Sequence, residues 1–130
     1  MSAAAQWGIK QGMFYLYACL IGLASGLTSG LFGVGGGIVM VPAMMFLLKT
    51  DIKTAIGTSL AVIIPTAVMG ALKHHQLSHV SWRMALAIMP MALAGGFCGA
   101  WLTRYLSSTD LKRAFGVFLV LVGARLLFLK

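Results

Sequence analysis

The chain has 130 residues, of which 60% are hydrophobic and 9% charged, with ten Lys and Arg against two acidic residues for a formal net charge of +8. A soluble globular domain carries about a quarter of its residues as charges, so this composition, with a mean hydropathy of +0.96, excludes that class and places the chain in a bilayer. Nor does the positive charge indicate nucleic-acid binding, because the cations lie dispersed between apolar runs, where Lys and Arg normally meet anionic lipid headgroups, and no nucleic-acid motif is present.

The stretch before residue 26 has one Lys, an apolar run and small residues, the outline of a signal peptide. It is read as a retained membrane helix, because the glycine pattern that follows needs a helix to pack against. From Gln11 to Leu48 the only ionisable side chains are Tyr15, Tyr17 and Cys19. As one helix this run would be about 57 Å long, nearly twice the ~30 Å of hydrocarbon in a bilayer. The break is placed at "GVGGG", Gly33 to Gly37, where each glycine lowers helix stability by about 1 kcal/mol. The reading is a first segment over 12–32 and a short second one over 37–48 that starts partway through the membrane, together one broken or re-entrant unit.

Backbone released at such a break cannot face lipid. The start of a half-helix turns partial positive charge and free N–H groups toward an anion, and glycine lets an anion approach the backbone closely. Gly33, Gly35, Gly36 and Gly37 are therefore candidate anion-binding residues, with Ser29 one turn earlier. Nucleotide motifs fail: the third glycine of GxGxxG falls on Ile38 or Met40, and no Gly-Lys-Ser/Thr follows. Gly22, Gly26 and Gly30 recur every four residues as a small-residue stripe, and helix packing is the favoured reading for them; Gly95 and Gly99 are read likewise.

The third segment, 54–73, opens on Gly57, Thr58 and Ser59 and contains Pro65, which is expected to distort it. Thr58 and Ser59 have three options: capping a helix, donating to a ligand, or bonding back to a carbonyl one turn earlier. On the residues alone the last is favoured. His74, His75 and His79 follow; histidine titrates near neutral pH, but without a neighbouring Cys or acid they read as a solvated turn, and no metal or cofactor is expected. The remaining segments are 84–103 and 109–129, the latter fitting a crossing if Arg125 snorkels to the interface. Cys19 and Cys98 lie in apolar segments without CxxC spacing and read as buried free thiols.

The fold class is thus an all-α integral membrane protein with four apolar helical segments, the first a broken or re-entrant pair, in a single transmembrane domain over residues 1–130. If all four cross, Lys10, Lys73, Arg83, Arg125 and Lys130 fall on one side and Lys49, Lys53, Arg104, Lys112 and Arg113 on the other. Five against five selects no orientation, as in an antiparallel dimer of dual topology. If the first pair is re-entrant, the split becomes six against four. Both readings stand.

Taken in order, "SGLTSGLFGVGGGIVMVP", "AIGTSLAV", "GALKHHQLSHV", "AGGFCGAWL" and "LKRAFGVFLVLVGARLL" resemble the sulfite exporter TauE/SafE family, from about Gly22 to Leu127. The resemblance implies an exporter of small sulfur-containing anions, such as sulfite or organosulfonates, in a bacterial-type inner membrane. Family members usually carry the motif in two halves and this chain has one, so the resemblance implies a homodimer in which each subunit contributes Gly33 to Gly37 and Thr58-Ser59. His75 matches a recurring family position and is a candidate gate or proton relay. After "SHV" the family often has an acidic residue; this chain has Ser81 and Trp82.

The residues agree with an anionic substrate. The two carboxylates, Asp51 and Asp110, fall in loops or at helix starts, so no intramembrane acid is available for a cation, whereas Ser25, Thr28, Ser29, Thr58 and Ser59 offer hydroxyls. The expected function is alternating-access transport of a small anion by a homodimer, with Gly36→Leu abolishing binding while leaving the dimer folded. The alternatives are a non-transporting membrane scaffold or assembly subunit and a small anion channel. No arrangement of nucleophile, base and oxyanion hole suggests an enzyme.

Overall fold

The computed structural model describes the backbone of residues 3–128 and the side chains of residues 10–128. Five helices follow one another: α1 (Ala3–Phe32), α2 (Gly37–Leu47), α3 (Ile52–Gln76), α4 (Trp82–Leu102) and α5 (Ser108–Phe128). The break at Gly33 lies where the glycines put it. The first segment extends back to Ala3, well before residue 12, and α3 is longer at both ends than 54–73. Leu129, the expected end of the last segment, and Lys130 lie outside the described residues.

Among the described residues three helices are long and apolar enough to cross a membrane: Lys10–Phe32 within α1, Ile52–Gln76 and Trp82–Leu102. In α5 the apolar stretch is confined between Arg113 and Arg125. With 11 residues, α2 is about 16 Å long, half a crossing.

The chain divides into two compact units, residues 1–72 and 73–130. In the first, α2 returns along α1 and packs on it. The buried residues are Ile21 and Ser25 of α1, Gly36 before α2, Met40, Val41 and Met44 of α2, and Ile52, Ala55 and Ser59 of α3. The three on α3 recur at three- and four-residue spacing, so they form one helical face. Helix α3 runs unbroken through Pro65, where the missing N–H leaves the Ala61 carbonyl without its helical donor. Thr66 Oγ1 bonds back to the carbonyls of Val62 and Ile63, both at 3.0 Å.

Both acidic residues start helices. Asp51 precedes α3 and its Oδ2 accepts from the Lys53 N–H at 3.1 Å. Ser107 caps α5, its Oγ accepting the Asp110 N–H at 3.1 Å and donating to Asp110 Oδ2 at 2.6 Å. Each carboxylate thereby meets the positive end of a helix dipole.

In the second unit, α3 ends on Ser78 in the left-handed region, φ 59°. The Ser78 N–H donates to the His75 carbonyl at 2.9 Å and the His79 N–H to the His74 carbonyl at 3.0 Å, the bond pair of a Schellman turn. Helix α4 buries no residue within this chain. Cys98 on α4 and Cys19 on α1 are free but exposed, which corrects the expectation of buried thiols. An all-apolar helix gives no sign of which faces find a neighbour, and these two cysteines fall on faces that find none here.

Candidate functional site

Helix α1 ends when the Gly33 N–H closes its last turn on the Ser29 carbonyl at 2.8 Å. Gly33, Gly35 and Gly36 then take φ values of 67°, 74° and 72°, a left-handed region in which a side chain costs roughly 1–2 kcal/mol per residue. Gly36 is the N-cap of α2 and supplies no side-chain hydrogen bond to it, while its carbonyl accepts from Met40 at 2.9 Å. The first N–H groups of a helix have no intrahelical acceptor. Those of α2 are thus left without a capping side chain.

The loop is held from both sides. A methyl on Gly36 would lie 2.5 Å from the Ser25 carbonyl oxygen of α1, and one on Gly37 would lie 3.2 Å from Ile63 Cδ1 and 3.9 Å from Ser59 Oγ of α3. Ser25 and Ser59 are 2% and 3% exposed. Gly35, Gly36, Gly37 and Ser59, four of the candidate residues, therefore come together, with Ser25 opposite.

The other candidates stand differently. Gly33 is exposed, and half-buried Ser29 contributes its carbonyl to the end of α1. Gly57 faces open space. Thr58 is turned about 100° around α3 from Ser59 and lines an apolar cavity of about 280 Å³ with residues that include Phe14, Ile21, Met40 and Met44.

Both buried serines bond back to their own helices. Ser25 Oγ donates to the Gly22 carbonyl at 3.1 Å and Ser59 Oγ to the Ile56 carbonyl at 2.8 Å. A carbonyl one turn back is the nearest acceptor a helical serine can find in an apolar setting. Each oxygen keeps lone pairs, and each hydroxyl can donate to an anion only by rotating away from its carbonyl.

His75 belongs to the second unit. Its Nδ1 accepts the Trp82 Nε1–H at 3.1 Å, and the rings meet edge to face with centroids 5.5 Å apart. The neutral imidazole therefore carries its proton on Nε2. The left-handed Ser78 turn brings the start of α4 back to the last turn of α3 and so makes this pair.

At the glycine stripes an added side chain would meet open space. A methyl at Gly22, Gly26, Gly30, Gly95 or Gly99 would have no neighbour within 4 Å beyond its own helical turn. Gly22, Gly26 and Gly30 instead line an open groove of about 400 Å³ with Leu23, Leu27 and Leu31. The small residue that lets the chain approach α1 closely is Ser25. Sequence reasoning had noted Ser25 only among several hydroxyls and had missed Ile63 altogether. The signal that could have found Ile63 is its place four residues after Ser59, on the same helical face.

A helix broken at left-handed glycines, an uncapped second helix and three long apolar helices define a multi-pass membrane protein of the broken-helix type. Residues 10–130 match the family described as Sulfite exporter TauE/SafE, and the chain belongs to that family. Among its relatives is the probable membrane transporter protein YunE of Bacillus subtilis, 36% identical over 118 residues, which cover 88% of this chain and 43% of YunE. A probable membrane transporter protein of Haemophilus influenzae is 36% identical over 99 residues, covering 70% of this chain and 38% of the relative. The probable membrane transporter protein MamO of Paramagnetospirillum magneticum is 27% identical over 118 residues, 85% of this chain and 18% of MamO. The chain thus spans less than half the length of these relatives. No solved structure gives a significant match. The match is to a transporter family, not to an enzyme.

Proposed function

We propose that the chain transports small sulfur-containing anions, such as sulfite or organosulfonates, out across a bacterial-type inner membrane. The observation that carries this reading is the uncapped start of α2, seated at Gly35 to Gly37 between buried Ser25 and Ser59. Helix starts favour anions through their free N–H groups and the helix dipole. No ionisable side chain other than Cys19 and the two tyrosines lies between Gln11 and Leu48, so no carboxylate in that run repels an anion. Gly33, Ser29, Gly57 and Thr58 complete the proposed binding set at the margins of this centre.

In this proposal residues 1–130 act as a single transmembrane domain, α2 enters the bilayer partway, and two copies form a homodimer that works by alternating access. The small residues Gly22 and Gly26 on α1 and Gly95 and Gly99 on α4, at which an added methyl would meet open space, favour a dimer, because small residues let membrane helices approach closely. Purified chain in proteoliposomes is expected to move sulfite, a short alkanesulfonate or thiosulfate with saturable kinetics. If none moves and none shifts thermal stability, the anion reading is lost. A purely monomeric state in the same preparation removes the dimer.

His75 is proposed as a gate or proton relay, since its ring is tied to Trp82 only while Nδ1 is free to accept. His75→Ala and Trp82→Phe each remove this bond, and both are expected to lower kcat for transport. Parent kcat in both variants would remove His75 from the gate.

A further inference from the structure

Both Gly35 and Gly37 lie against the same side chain. A methyl on Gly35 would meet Ile63 Cγ2 at 3.3 Å, Cδ1 at 3.4 Å and Cγ1 at 3.5 Å, and one on Gly37 would meet Cδ1 at 3.2 Å. In the run Val62-Ile63-Ile64 only Ile63 has this contact: Val62 lines the apolar cavity and Ile64 is exposed. Ile63 continues the face of Ile52, Ala55 and Ser59 by one further turn. A β-branched side chain in a helix is held close to one χ1 rotamer, so its position is fixed by α3 rather than by the loop.

We propose that Ile63 is a positioning residue: it fills the space left by the absent side chains of Gly35 and Gly37 and so sets the direction of the first N–H groups of α2. The two glycines are then needed for different reasons. Gly35 supplies its left-handed φ as well as room, whereas Gly37, which lacks a positive φ, supplies room alone. The functional part of this proposal rests on reading the loop as the anion site; the packing part does not.

The test is an exchange of volume between partners. Gly37→Ala puts its methyl against Ile63 Cδ1, and Ile63→Val removes that atom while keeping both γ carbons. Gly37→Ala alone is expected to speed hydrogen exchange of the Val39 and Met40 amides, which donate to the Gly36 carbonyl, at least tenfold. With sulfite as the probe, it is expected to raise KM about tenfold with little change in kcat. In Gly37→Ala/Ile63→Val both quantities are expected to return to within about threefold of the parent. A double variant no better than Gly37→Ala overturns the proposal. So does an equal benefit of Ile63→Val to Gly57→Ala, which would mean general loosening.

The two readings fail separately. Coupled exchange without transport of sulfite, alkanesulfonate or thiosulfate supports Ile63 and removes the anion site, while transport without coupling does the reverse. Should Gly37→Ala fail to assemble, Ile63→Ala takes its place: exchange of the Val39 and Met40 amides is expected to accelerate, and unchanged exchange overturns the proposal.

Discussion

Gly36→Ala is expected to abolish transport and to destabilise the chain by about 2–5 kcal/mol. Two effects add. The left-handed φ of 72° costs a non-glycine residue about 1–2 kcal/mol, and a methyl 2.5 Å from the Ser25 carbonyl oxygen forces α1 and the loop apart, a strain of typically 1–3 kcal/mol. Thermal unfolding in detergent and anion flux in proteoliposomes measure the two consequences. Gly33→Ala is the control, because Gly33 shares the left-handed φ but faces open space, leaving strain of about 1 kcal/mol. Wild-type stability of Gly36→Ala would remove the close approach on which this account depends. The expectation that Gly36→Leu spares the folded dimer accordingly does not survive: the glycine is a packing contact as well as a candidate ligand.

Ser59→Ala is expected to raise KM for the transported anion about 10- to 100-fold while changing stability by less than about 1 kcal/mol. A hydrogen bond to a charged group contributes about 1.5–3 kcal/mol, and Ser59 is the buried hydroxyl of α3 beside Gly37. Its present bond, to the Ile56 carbonyl, is a dispensable second bond to an oxygen that the helix already uses. Thr66→Ala deletes a hydroxyl that bonds back in the same way on the same helix and is expected to leave KM unchanged. Equal effects of the two substitutions would reduce Ser59 to a helix-bending role.

The number of helical pieces and the break at Gly33 were legible in the sequence because the bilayer imposes them. Apolar length is read against a fixed thickness, and consecutive glycines weaken a helix wherever they stand. Which residues face one another was far less legible. In a soluble helix the contrast between polar and apolar sides names the inward face, but α1 and α4 are apolar all round. Hence Ser25, rather than the Gly22, Gly26 and Gly30 stripe, proves to be the close-approach residue on α1, and Cys19 and Cys98 are exposed. Thr58 and Ser59, adjacent in sequence, part company because successive residues on a helix diverge by about 100°. Ile63 gave no chemical signal, since one branched aliphatic residue among three looks like the others until the loop that leans on it is seen.

The helix starts at Asp51 and Asp110 bear on energetics at the scale of the cell. The chain has no other acidic residue, and both carboxylates are engaged at helix starts, Asp51 with the Lys53 N–H and Asp110 with the Ser107 hydroxyl. An anion crossing at the proposed site would meet no carboxylate of this chain able to take up a compensating proton, so unless the proposed relay at His75 supplies one, its charge would move with it. Each elementary charge carried through a potential of 100 mV is worth about 2.3 kcal/mol, close to a fiftyfold concentration ratio. With the cell interior negative, the membrane voltage would then favour outward movement of such an anion.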